Sequence, residues 1–152
     1  MRTISKCFSI FSIAIAISLG AAQADDDPIG DRQAIMSSVG AAAGLGGGLM
    51  KGEIAYSPAA GKAAIAAMRA ASLTFGDYFP DGSNTGDTEA APAIWDNRAG
   101  FDTEIAKFAA ATGTAMEASG RAGPADLDAF KAAMGPVFGT CKSCHEGFRV
   151  KN

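Results

Sequence analysis

Cys141, Cys144 and His145 fall within the pentapeptide CKSCH, and His145 is the only histidine in the 152-residue sequence. Two thiols followed at once by an imidazole could ligate zinc, cycle as a redox dithiol, close as a plain disulfide or fix a porphyrin covalently. A structural zinc site takes four ligands, usually Cys or His, and the rest of the domain offers no fourth. A redox dithiol sits at the start of a helix that follows a strand, where the helix dipole lowers the thiol pKa; no strand pattern precedes this pair. A disulfide alone would leave His145 without a task. C-x-x-C-H is, by contrast, the attachment signal for c-type haem. Thiols one helical turn apart add to the two vinyl groups of the porphyrin, and the next imidazole then lies under the iron. One motif implies one covalent haem c.

The elements that must position this motif read as helices. Ala and Gly are abundant, β-branched residues are sparse, and apolar positions recur at helical spacing. Leu127, Phe130, Met134, Val137, Cys141, His145 and Phe148 form one stripe of a last helix, so the first cysteine and the histidine share its apolar face. Gly135-Pro136 interrupts that helix and predicts a kink one turn before the cysteines, because proline has no N–H for the carbonyl of Ala132. A first helix is expected from Pro28 to Lys51, a second from the Ser57-Pro58 cap with Ile65, Met68 and Phe75 inside, and a third from about Pro92 with Phe101, Ile105, Phe108, Thr112 and Met116 inside. The stretch GDYFPDGSNTGDTEAAP between the second and third reads as an irregular loop. The fold expected is all-α, an antiparallel up-down-up-down four-helix bundle with haem held between the helices. Gly40, Gly44 and Gly48 lie four apart on one face of the first helix, which predicts either tight packing inside the bundle or a homodimer through the first and second helices.

Arg2 and Lys6, the uncharged run CFSIFSIAIAISLG and Ala22-Gln23-Ala24 make a secretory signal peptide over residues 1–24, too short in its apolar run to anchor in a bilayer. Cleavage after Ala24 leaves a single domain, residues 25–152, without stable membrane insertion. It removes Arg2, Lys6 and no acid, so formal charge goes from −3 to −5. That acidity argues against nucleic acid as a partner and is compatible with basic proteins.

A C-x-x-C-H close to the C-terminus of a four-helix bundle, rather than near its N-terminus, resembles the class II cytochromes c, the cytochrome c prime family. RQAIM in the first helix, KGE and AYSPAA leading into the second, PAIW into the third and CKSCHEGFR in the fourth carry the resemblance across the exported chain. It implies thioether links at Cys141 and Cys144, His145 as the proximal iron ligand, Arg32 and Gln33 against the haem, and Arg149 as the basic residue one turn after that histidine. It implies a periplasmic protein that works with redox partner proteins as an electron carrier, not an enzyme.

The sixth position on the iron decides the function. In an antiparallel bundle the start of the first helix lies beside the end of the fourth. His145 stands roughly 9 Å from the end of its helix and Met36 roughly 12 Å from the start of its own, whereas Met50 would be about 33 Å along. Arg32, one turn before Met36, is an expensive residue to bury on an apolar row without an anion, which a haem propionate would supply. Within the family, methionine in an R-x-x-x-M arrangement resembles the low-spin branch with His/Met ligation, which transfers electrons. The alternative is a five-coordinate, high-spin protein that binds nitric oxide or carbon monoxide.

Overall fold

Each long helix begins where a short polar side chain closes its first turn. Asp27 Oδ1 accepts from the Gly30 amide, Ser57 Oγ from Ala60, Asn97 Oδ1 from Gly100 and Asp126 Oδ1 from Ala129. Each such cap is worth about 1 kcal/mol against alanine. In the computed structural model, which describes residues 27–150, these caps start α1 (Pro28–Lys51), α2 (Pro58–Thr74), α4 (Arg98–Ser119) and α5 (Leu127–Phe148), while α3 (Ala93–Asp96) is a single uncapped turn. A 3₁₀ turn, Phe75–Tyr78, extends α2. Gly52 ends α1 in the left-handed conformation, φ 75°, with its amide returned to the carbonyls of Gly48 and Leu49. The expected signal peptide and its cleavage site lie outside the described residues.

Helices α1, α2, α4 and α5 form an antiparallel four-helix bundle, as expected. The third expected helix is divided. Its first turn is α3, and the chain leaves helical geometry at Asn97 (φ −133°, ψ 58°) before α4 begins. The break lets α3 turn inward: Ile94 is buried, and the Trp95 indole donates to the Pro80 carbonyl. Pro136 does not stop α5, which runs unbroken from Leu127 to Phe148.

Two apolar clusters divide the bundle lengthwise. One, at the Leu49 end of α1, gathers Ile65, Met68, Ala115, Phe130, Met134 and Val137, all essentially without exposure. Burial of such side chains stabilises by about 1.5–3 kcal/mol each. The other, at the opposite end, is aromatic: Phe79, Ile94 and Phe101, with Phe75, Trp95 and Phe148 against them. Phe79 and Phe101 meet edge to face at 4.7 Å, and Phe101 meets Phe148 at 5.5 Å. Gly40 and Gly44 do not mediate close packing, since a Cβ on either meets nothing within 4 Å; Gly48 is covered by Ile54 of the following turn. The glycines that admit close neighbours are Gly46, against Phe138 and Met134, and Gly61, against Phe130 and Tyr56. No helix among the described residues is long and apolar enough to cross a membrane.

Candidate functional site

α1 and α5 are held less closely than α4 and α5, and the space between them is a cavity of ≈ 510 Å³. That falls within the usual range for a ligand pocket, about 300–1,000 Å³. α1 contributes Arg32, Gln33, Met36, Val39 and Ala43; α5 contributes Thr140, Cys141, Cys144, His145 and Phe148; Arg149 follows, and Phe101, Glu104, Ile105 and Phe108 of α4 close the back. Every candidate site residue named from the sequence therefore lines one cavity. Met50 instead packs against the first apolar cluster, and Met68 and Met134 are buried within it with Met116 at its edge. Among the described methionines, Met36 is the one that lines the cavity.

Cys141 and Cys144 lie one turn apart in α5 and are free thiols, half-buried at the cavity wall. Burial pushes the Cys141 thiol up; burial, and then the charge of Glu104 and the neighbouring Cys141, raise Cys144 to about 11. Both are thus protonated near neutrality. His145 keeps one side in solvent, and its imidazole sits below its ordinary value, first through partial burial and then through Arg149, with Glu89 acting the other way.

Arg32 departs from the frayed, solvated residue that its place near a helix start would allow, and its partners within the protein are neutral. It is 3% exposed, and neutral acceptors of the 76–92 loop take most of its donors. One terminal nitrogen donates to the Tyr78 carbonyl (3.3 Å) and Ser83 Oγ (3.1 Å), the other to the Ser83 carbonyl (2.7 Å) and Thr88 Oγ1 (2.8 Å). Phe79 and Trp95 stack on the guanidinium with ring centres 5.1 and 5.7 Å from its carbon. Of its five N–H groups only Nε–H is left, buried and without a partner. Gln33, on the exposed rim, donates to the Asp87 carbonyl at 2.8 Å.

The same loop reaches the other wall. The Ala91 amide donates to the Phe148 carbonyl and the Val150 amide to the Glu89 carbonyl, while Arg149 pairs with the Glu89 carboxylate at 2.6 Å. Thr88, Glu89 and Ala90 line the cavity as a consequence. Sequence reasoning missed this strap, and it missed Glu104. Loop composition signals turns but not where they fold back, and a single glutamate on a helix carries no pattern.

The donor set fits a covalently attached haem. Two free thiols one turn apart, an imidazole and a thioether share one largely apolar cavity, and Arg32 in the same wall keeps a buried Nε–H without a partner. The family model described as Cytochrome C' matches residues 27–149. The cytochrome c' of Rhodopseudomonas palustris is 38% identical over 138 residues, 90% of this chain and 91% of that one. A cytochrome c-556 of Agrobacterium tumefaciens is 34% identical over 120 residues, 79% of this chain and 94% of that one. The solved cytochrome c' from Rhodopseudomonas palustris is similar in fold, with a TM-score of 0.75 at 38% identity, covering 83% of this chain and 98% of that one.

Proposed function

Since this chain belongs to the cytochrome c' family, and so is a monohaem c-type cytochrome with covalently bound haem, we propose that it shuttles single electrons between redox proteins. In this proposal Cys141 and Cys144 hold the haem through thioether bonds, His145 is its proximal ligand and Met36 its distal one. When bound, the haem supplies a one-electron iron couple whose potential depends on its axial ligands, and Met/His ligation raises it.

The observation that carries the proposal is the position of Met36. It is half-buried in the wall formed by α1, in the cavity that His145 lines from α5, and no other described methionine lines that cavity. Val39, one turn on, is buried, and with Phe79, Ile94 and Phe101 it makes this part of the cavity wall apolar. Arg32, fixed by the loop, brings a positive charge to the cavity wall for a propionate, and Arg149, paired with Glu89, brings a second one near the histidine. Neither residue moves a proton. The chain's own work is to hold two ligands, exclude solvent and set the local charge.

Residues 1–24 act in this proposal as the export signal, placing residues 25–152 in the periplasm. The acidic exported domain would meet partners that present basic surfaces. The ferric optical and EPR spectra of wild type beside Met36→Leu test the ligand assignment. A low-spin wild type that becomes high-spin and gains carbon monoxide binding on substitution supports electron transfer. A wild type already high-spin would instead favour the gas-binding alternative.

A further inference from the structure

Glu104 is the one acidic side chain of α4 in the cavity wall, and it is not left to solvent. Its side chain is 12% exposed. One oxygen accepts from Ser143 Oγ at 2.6 Å, the other from Lys107 Nζ at 2.6 Å. Ser143 is the residue between the two cysteines that is followed directly by Cys144 and His145. The bond therefore joins α4 to the attachment turn of α5 at the point where the two thiols face the cavity.

From this we infer that Glu104 is a positioning and charge-setting residue for the haem: it pins the C-K-S-C-H turn against α4 and fixes a negative charge at the cavity wall that favours the oxidised state. The ferric form carries one positive charge more than the ferrous form, so a nearby fixed anion stabilises it preferentially. Lys107 opposes this. The Lys107 side chain is 56% exposed and lies outside the cavity lining, whereas the Glu104 side chain is part of that lining. The nearer and less solvated charge dominates, because solvent screens the exposed one more strongly. The hydrogen bonds from Lys107 and Ser143 also hold the carboxyl below its ordinary value, so the charge is present at neutral pH. The inference rests on haem attachment at Cys141 and Cys144, and it holds whether or not Met36 is an iron ligand.

Spectroelectrochemical titration of the purified holoprotein tests it, with wild type, Glu104→Gln, Glu104→Asp and Lys107→Met compared with Glu117→Gln, an exposed acid near the other end of α4. Glu104→Gln is expected to raise the ferrous-to-ferric ratio at a fixed applied potential about tenfold, a rise of about 59 mV for a one-electron couple. Glu104→Asp, which keeps the charge, stays within about threefold of wild type, and Lys107→Met shifts the ratio the other way. A Glu104→Gln potential equal to that of Glu117→Gln, in protein with covalent haem, overturns the inference. If Glu104→Gln does not accumulate, Lys107→Met decides: a lower potential supports the role of Glu104 and an unchanged one overturns it. Wild type lacking covalent haem after maturation would overturn both the attachment assignment and this inference.

Discussion

Replacing Arg32 by leucine isolates what the buried guanidinium does. Leucine preserves an apolar body between Phe79 and Trp95 but removes four hydrogen bonds to Tyr78, Ser83 and Thr88. A net value of about 1 kcal/mol per bond gives about 4 kcal/mol. Relief from burying a charge whose pKa is already lowered by desolvation subtracts from that sum. The expected loss is about 2–4 kcal/mol, or a fall in Tm of about 10 °C for a domain of this size. Because the bonds all end in the 76–92 loop, the loop should open before the bundle melts. Thermal melts of holoprotein give the global value; limited proteolysis and amide exchange give the loop. The expected result is early cleavage between residues 76 and 92 with α2 and α4 still protected. A Tm within about 2 °C of wild type and unchanged loop protection would refute the clamp.

Two further outcomes follow from the packing and the charges. Gly123 has φ 102°, and a Cβ there would run into the Pro58 carbonyl, so Gly123→Ala should destabilise by about 2–4 kcal/mol; Gly44→Ala, exposed mid-helix with open space for its methyl, should stabilise by about 0.5–1 kcal/mol in the same denaturant melts. The Glu104 carboxyl is depressed from its ordinary 4.5, first by the hydrogen bond from Lys107 and then by that from Ser143, with burial opposing. A depressed carboxyl stabilises the fold above its unfolded value and loses that contribution as pH falls through the folded one. Denaturant melts between pH 6 and 3 should therefore show a shallower acid limb for Glu104→Gln than for wild type, and parallel curves would contradict it.

The helix starts at Pro28 and Ser57-Pro58 were legible because their signals are local: a capping side chain, a proline at the first turn and an apolar row. That Met36 and His145 line one cavity was legible because it needs only the helical rise and an antiparallel arrangement. The break at Asn97 was missed although its signal is local, since Asp96, Asn97 and Gly100 are poor helix formers and Asn favours the N-cap. It exists because burying Ile94 and seating Trp95 on Pro80 requires α3 to point another way. For packing inside the bundle the row Gly40, Gly44, Gly48 had the right period but the wrong face; Gly46 and Gly61 meet aromatic side chains of α5 because the register between helices, not spacing along one of them, selects the contact. Arg32 was legible as an expensive residue to bury. Its loop partners lie 46 to 56 residues away, beyond the reach of any local pattern.

The central claim is that Met36, reached from the far end of the chain, completes the site that CKSCH begins. The ferric EPR spectrum of wild-type holoprotein at neutral pH, set beside that of Met36→Leu, tests it most directly. The account predicts a low-spin wild type and a high-spin variant that takes up carbon monoxide in its ferrous form. A high-spin wild type, or a variant whose spectrum stays low-spin, would contradict it.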